Sequence, residues 1–360
     1  MKNALIVSLK FNPGHFSHLI ANYKLFEDCG MHPRLYIHPQ FLRMDPNHEF
    51  EHITTPEGLR KMSPIDVAVF WFPSIRNIFE IIRLRLFYKS SVIYIYHEPF
   101  DSILNYYRSG FRFRKILKIC LINLVNIPVI ILSTGIVLPS MKALSLYRRK
   151  YTLLNRKYSM IPLLFDDEAS ALLRNEDKKC FSYIGTIAAD HAFDRFVRFA
   201  DDAVQRNLFP GLIFVIATRN EIPAGEQAIL EPHITAGRVV VCAGHPMTNE
   251  EINGFYRQSL IVWNAYNRSM QSGVLPKAYM FGASVIVLAG HSNEFFVNHK
   301  TGVAVSDNSN LAEIGEAVLE IQRNSDFFIQ NSRKRFLETF YYKNRTADFM
   351  SLLATGDQAK

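Results

Sequence analysis

Two short stretches of this 360-residue chain hold side chains suited to chemistry. His97-Glu98-Pro99-Phe100-Asp101 follows the apolar run Ser91–Tyr96, which puts its polar groups at the end of a buried strand. Glu98 or Asp101 can take a proton from a hydroxyl there, with His97 contacting one of the reacting molecules. The second stretch is Ser272-Gly273-Val274, where a strand passes into a helix. Glycine lets the backbone approach a ligand, and the free N–H groups of a starting helix point at it. A diphosphate suits such a corner, because the positive end of the helix dipole meets its charge without a metal. No Asp-x-Asp pair is present, and a divalent metal is not implied.

Three further loops stand at strand ends. Phe11-Asn12-Pro13-Gly14-His15 follows the first strand. Gly185-Thr186 closes Phe181–Ile184, at the carboxyl end where open α/β sheets bind ligands. Gly244-His245-Pro246-Met247-Thr248 leads into a helix, with Thr248 and Glu251 spaced as a capping box. Ser140 reads as an ordinary helix N-cap.

Positioning these residues takes strands and helices in alternation. Strands are expected at Ala4–Leu9, Arg34–Ile37, Val67–Phe72, Ser91–Tyr96 and Gly135–Leu138. Helices are expected at Phe16–Cys29, Ile75–Tyr88 and, strongly basic, near Ile103–Asn126, with Gly30 as a C-terminal cap. After Lys178-Lys179 the pattern restarts, with strands at Cys180–Ile184, Leu212–Ala217, Arg238–Cys242, Leu260–Asn264, Ser284–Leu288 and Val303–Val305. Its helices fall near Phe193–Arg206, Asn249–Arg257, Leu275–Phe281 and Leu311–Arg323. Such alternation means parallel sheets with helices on both faces. The length suggests two domains: residues 1–165, a linker over 166–178, then 179–335. A C-terminal helix and tail over 336–360 is positioned to pack back on the first. The stretch Ile161–Glu168 also reads as a linker.

Composition narrows the class. Hydrophobic residues at 48% and charged at 21% describe a folded protein without long disorder. Cys29, Cys120, Cys180 and Cys242 are scattered, which suggests neither a zinc site nor a disulfide framework and fits a reducing cytosol. Met1-Lys2-Asn3 runs into a first strand and turn rather than a secretory leader. Residues 1–160 carry 22 Lys/Arg against 10 Asp/Glu, and the remainder 19 against 23. The first half therefore expects an anionic partner. No zinc-finger, homeodomain or RNA-recognition signature accompanies the charge, so a membrane surface or lipid diphosphate is favoured over nucleic acid. Ile119–Leu138 is apolar, but Asn123, Asn126, Pro128, Ser133, Thr134 and Gly135 interrupt it. It reads as a helix followed by a buried strand rather than a span. Basic and aromatic residues interleave before it over Arg108–Lys118, which fits equally a helix lying on an anionic membrane and the solvated basic face of an ordinary helix.

The segment Gly244–Val305 resembles the donor-binding half of the large bacterial family-four-type GT-B glycosyltransferases. The likeness rests on the junction at Gly273 and the turn Gly282-Ala283-Ser284-Val285-Ile286. Gly290–Val297 and Lys300-Thr301-Gly302-Val303 extend it. The resemblance covers the second half, and the first half by topology only. It implies a GT-B fold, two Rossmann-like domains whose parallel sheets face each other across a cleft. It implies a nucleotide-sugar donor, UDP- or GDP-linked, held by Gly185, Thr186, Arg219, His245, Ser272, Gly273 and Val274. Gly14 and His15 are implied on the acceptor side, and His97, Glu98 and Asp101 in catalysis. The family's two glutamates, eight positions apart, align with Ser269 and Lys277, so neither carboxylate is present. An ammonium cannot accept ribose hydroxyls, so the ribose contact must be made differently; Lys277 reads either as a cation that neutralises a donor phosphate or as a surface lysine on its helix.

The expected activity is metal-independent glycosyl transfer to a lipid-linked or polysaccharide acceptor in cell-surface polysaccharide assembly. No cofactor is expected beyond the donor, and the expected place is peripheral, on the inner face of the cytoplasmic membrane. Closure about the linker would exclude water. Two alternatives keep the fold: an NDP-sugar 2-epimerase and a non-catalytic scaffold. No Gly-x-Gly-x-x-Gly follows either opening strand, which argues against a dinucleotide oxidoreductase.

Overall fold

Runs of Val, Ile, Phe and Tyr, buried on the central strands and partly exposed on the edge strands, form two all-parallel sheets. The computed structural model describes residues 2–45, 47–61, 64–71, 74–169 and 177–354. The chain divides into two compact units. One comprises Met1–Tyr107, Arg112–Asp166 and Thr339–Lys360; the other comprises Arg108–Phe111 and Asp167–Glu338.

The first unit runs β1 (Asn3–Ser8), α1 (Phe16–Asp28), β2 (His32–Ile37), β3 (His52–Ile53), α2 (Pro56–Arg60) and β4 (Val67–Trp71). It continues α3 (Ile75–Phe87), β5 (Ser91–Ile95), α4 (Ile103–Arg108), α5 (Phe113–Leu132), β6 (Gly135–Leu138), α6 (Met141–Tyr151) and β7 (Lys157–Met160). Its sheet order is β3-β2-β1-β4-β5-β6-β7. Leu5, Val7, Phe70, Tyr94 and Ile136 fill the core beneath the helices. Phe72, the expected last residue of β4, lies outside the described residues.

The second unit runs β8 (Cys180–Ile184), α7 (Phe193–Gln205), β9 (Ile213–Ala217), α8 (Ala224–Thr235), β10 (Val239–Cys242), α9 (Asn249–Gln258) and β11 (Ser259–Asn264). There follow α10 (Val274–Met280), β12 (Ser284–Leu288), β13 (Gly302–Val305), α11 (Leu311–Arg323) and α12 (Ser325–Thr339). The order is β10-β9-β8-β11-β12-β13. Phe181 anchors its core, meeting Phe196 at 5.3 Å, Phe214 at 5.9 Å and Trp263 at 6.3 Å between ring centroids. Burying each such ring contributes about 2–3 kcal/mol. Lys178 opens this unit as a buried cation, its ammonium donating to the carbonyls of Arg257 (2.8 Å), Phe281 (2.8 Å) and Ser259 (3.2 Å). Burial pushes its pKa down to about 8.

Several local expectations are met by the geometry that motivates them. Gly30 adopts φ +69° after α1, with its N–H on Glu27 O. Ser140 caps α6 through Ala143 N–H, and Thr248 with Glu251 forms the capping box of α9. Helix α8 was not expected, because Pro232 stands inside it and only Leu230 and His233 are buried. The apolar stretch Ile119–Leu138 divides into the end of α5 and the whole of β6. Asn126 Oδ1 accepts from Tyr94 O–H (2.6 Å), and Asn123 Oδ1 accepts from Tyr151 O–H (2.7 Å). The residues that interrupt the apolar run thus tie α5 to the first unit.

The stretch Ile161–Glu168 is packed rather than loose. Ile161, Leu163, Leu164 and Phe165 are buried, and Phe165 exchanges backbone hydrogen bonds with Phe340 and Tyr342. Lys24 holds Asp166 at 2.5 Å in the first unit, and Arg333 holds Asp167 bidentately in the second. The chain returns to the first unit at Thr339, and on α13 (Thr346–Ala354) Phe349 sets edge-on against Phe26. Residues 170–176 of the expected linker lie outside the described residues.

Candidate functional site

In an open parallel sheet, neighbouring connections diverge where the strand order reverses, leaving a crevice at the strands' carboxyl ends. The second unit has that point between β8 and β11. Gly185 ends β8 with φ +125°, a conformation side chains rarely adopt, and its N–H donates to Ala217 O (2.9 Å). A Cβ there would sit 3.5 Å from Val274 Cγ2, so the Gly185 turn lies directly against the junction of β11 and α10. The Thr186 carbonyl accepts from Tyr183 O–H (2.9 Å) and His191 Nδ1–H (2.7 Å), which fixes the turn.

The loops after β9 and β10 join the same edge. Asn220 Oδ1 accepts from Ile187 N–H (2.9 Å), and Asn220 O accepts from Gly244 N–H (3.1 Å). Arg219 between them is exposed, with no ionic or hydrogen-bonding partner among the described residues. His245 is also exposed, beside Ala243 O (3.1 Å) and Cys242 Sγ (3.8 Å). The structure therefore gathers Gly185, Thr186, Arg219, His245 and the Ser272–Val274 corner around one sheet edge.

At that corner the amides are less free than their sequence suggests. Ser272 N–H donates to Asn293 Oδ1 (3.4 Å), and Val274 N–H to Ser272 Oγ (3.1 Å). Asn293 Nδ2 reaches Asn264 Oδ1 (2.5 Å), whose own amide reaches Ser272 Oγ (3.1 Å). This buried Asn264–Ser272–Asn293 ring makes the corner rigid and takes two of its three amides. Gly273 has φ −69° and ψ −19°, ordinary helical values, so its backbone conformation does not demand glycine. The expectation that the free N–H groups of the starting helix point at a ligand here is corrected accordingly.

Lys277 is also corrected. Its ammonium is buried, with 9% of the side chain exposed, and donates to Glu168 Oε2 (2.6 Å), Asn253 Oδ1 (2.9 Å) and Asn249 Oδ1 (3.3 Å). All three of its hydrogens are engaged, and none is left for a donor phosphate. Burial would raise Glu168, but the Lys277 charge and the hydrogen bonds from Lys277, Asn253 and Asn249 hold its carboxyl below the usual range. Burial lowers Lys277 in turn, against the pull of Glu168.

In the first unit the order reverses between β1 and β4. A 3-10 turn over Pro13–His15 leads straight into α1, capped by Asn12, whose Oδ1 accepts from Gly14 N–H (3.3 Å). The amide of Asn12 then faces His15 Nε2 at 3.1 Å, which leaves the ring proton on Nδ1. The His15 ring lies 6.1 Å from His97, 5.6 Å from Trp71 and 6.2 Å from His18. Burial, then the neighbouring His97, His18 and Lys10, push His15 down to about 2, so it is neutral near pH 7. His18 stacks on Trp71 and donates from Nδ1 to Leu164 O (2.9 Å). Two histidines picked out by sequence thus meet at one edge, and Trp71 and His18, which no local pattern marked, complete the cluster.

Glu98 is exposed beside this cluster in sequence, with no partner among the described residues. Gly14 is exposed, and an added Cβ would meet only Asn12 Oδ1, at 3.6 Å. Asp101 departs from the expected catalytic role. It is buried, and its Oδ1 accepts from Ser102 N–H and Asn105 Nδ2, both at 2.9 Å, with Lys142 Nζ 3.9 Å from Oδ2, so it braces the loop before α4, whose cap is Ser102. Among the described residues no three His, Cys, Asp or Glu side chains gather as metal ligands.

No family model matches the chain, and no curated protein does. Solved structures do. Sucrose-phosphate synthase of Thermosynechococcus elongatus superposes with TM-score 0.72 at 11% identity, covering 100% of both chains. HepE of Anabaena in complex with UDP-glucose gives 0.68 at 10% identity over 99% of this chain and 100% of its own. TarM of S. aureus in complex with UDP gives 0.64 at 10% identity over 98% and 99%. Likeness at such identities carries the fold: two Rossmann-like units on parallel sheets, as in GT-B glycosyltransferases.

Proposed function

We propose that this chain is a GT-B glycosyltransferase of the family-four type, moving a sugar from a nucleoside-diphosphate donor to a lipid-linked or polysaccharide acceptor in cell-surface polysaccharide assembly. The observation that carries the reading is the sheet edge where Gly185, in its left-handed turn, lies against Val274 while Arg219 stands exposed with no partner among the described residues. A bare backbone turn beside an uncommitted guanidinium suits a diphosphate, which Arg can hold bidentately. The UDP and UDP-glucose complexes of HepE support a uridine donor.

In the proposed reaction the acceptor oxygen attacks the anomeric carbon, and the bond to the diphosphate oxygen breaks with its electrons leaving on the nucleotide. The acceptor proton passes to Glu98, the exposed carboxylate beside His97. Neutral His15 and its partner rings offer an uncharged, aromatic-lined edge suited to a sugar ring. Arg219 stabilises the charge growing on the leaving diphosphate, and no metal is assigned a part.

Calorimetric titration with UDP, GDP and their sugars tests the reading. Binding of a nucleoside diphosphate is expected, weakened roughly tenfold in Arg219→Ala, the worth of one charge-assisted hydrogen bond. A chain that binds none of them would be a scaffold. Epimerised UDP-sugar formed without acceptor would replace transfer by the epimerase reading.

A further inference from the structure

We propose that the α3–α5 face of the first unit is a docking surface for an anionic lipid bilayer. Of twenty large hydrophobic residues exposed among the described residues, thirteen fall between Ile75 and Ile131, so the exposure is concentrated rather than scattered. On α5 the outward positions Phe113, Leu117, Leu121, Leu124 and Ile131 recur at intervals of three, four and seven. That spacing forms one stripe along the helix. On α3, which packs beside α5, Ile75, Phe79 and Leu86 repeat the pattern. A folded chain rarely leaves contiguous apolar surface of this kind unless something covers it.

Charge identifies what covers it. From Ser102 to Phe165 the sequence has no Asp or Glu, against eleven Lys and Arg. Arg114 and Lys118 each follow a stripe residue by one position, about 100° round the helix, so they flank the apolar stripe. Arg112 precedes it, and Arg85 and Lys89 stand exposed at the end of α3. The one acid on α3, Glu80, is buried and paired with Arg83 at 3.4 Å. Apolar side chains bordered by cations that can reach outward match lipid tails beneath anionic headgroups.

Helix α5 is the one described helix long and apolar enough to cross a bilayer. Its inner face opposes that use. Ile116, Val129 and Ile130 are buried, and Asn126 is bonded to Tyr94 inside the first unit. The helix therefore lies on the membrane rather than through it. The inference does not rest on the glycosyl-transfer reading, and vesicle binding is measured separately from donor binding, so either can fail alone.

Co-sedimentation of the full chain with vesicles tests it, using equal parts phosphatidylcholine and phosphatidylglycerol against phosphatidylcholine alone. Preferential binding to the anionic vesicles is expected, falling about fivefold per charge removed in Arg112→Gln, Arg114→Gln and Lys118→Gln combined. Leu117→Glu with Leu121→Glu should weaken it at least about tenfold. Circular dichroism verifies that these variants fold, and the wild-type comparison between vesicles decides without them. The proposal is overturned by absence of binding, by equal binding to both vesicles, or by resistance to alkaline carbonate extraction, which would mean a spanning helix. It is equally overturned by a dimer that Leu117→Glu with Leu121→Glu dissociates while vesicles stay unbound.

Discussion

Replacing Lys277 by Met separates a structural role from a substrate-binding one. The ammonium is 9% exposed and Glu168 20%, so the pair is largely shielded from water. Removing the lysine leaves the carboxylate with Asn249 (2.5 Å) and Asn253 (2.8 Å) but no compensating charge. Breaking a buried pair costs about 3–5 kcal/mol, and the two remaining amide donors place this case near about 3 kcal/mol. For a unit of this size that lowers the thermal midpoint by roughly 6–12 °C, measurable by scanning calorimetry. Adding Glu168→Gln removes the stranded charge and should restore stability to within about 1 kcal/mol of the parent. The repaired double variant should bind donor nucleotide as the parent does, because Lys277 has no hydrogen to offer a phosphate. A single variant as stable as the parent would refute the energetic reasoning. Lost nucleotide binding in the stable double variant would return Lys277 to the donor site.

The two carboxyls of the 97–101 loop should part company. Glu98→Gln should lower turnover at least about a hundredfold in a donor-to-acceptor assay, with nucleotide affinity unchanged. Asp101→Ala should leave turnover near the parent value and cost about 1–2 kcal/mol in denaturant unfolding, the worth of its lost hydrogen bonds to Ser102 and Asn105. His15 predicts a pH dependence. Its folded pKa lies far below the unfolded value, so its contribution is complete above about pH 6.5 and declines as pH falls from there toward 2. Because the ring keeps some exposure, roughly 1 kcal/mol per pH unit is expected between pH 6 and 4. His15→Phe should flatten that slope in urea titrations, and an unchanged slope would show that His15 titrates freely.

Much of the architecture was legible because it is written in near neighbours. Apolar runs of four to six residues separated by amphipathic stretches fixed the alternation of strand and helix, and with it parallel sheets. Gly30, Ser140 and the Thr248–Glu251 pair declared helix ends through contacts within a few residues. The uneven charge and the basic stretch of α5 were visible in composition alone. Helix α8 escaped because an internal proline and few buried positions hid its periodicity.

What only the tertiary structure decided is which polar groups were already spoken for. Lys277 meets Glu168 from 109 positions away, and Ser272 N–H meets Asn293 from 21 away. His15 and His97 come together only because β1 and β5 both flank β4 and end at the same edge. Residue type sets what a side chain or an amide can bond, while burial and distant partners set what it still has to give. Sequence placed the candidates at the carboxyl edges of both sheets, and the fold shows that, among the described residues, Arg219 and Glu98 remain uncommitted there whereas Lys277 and Asp101 do not.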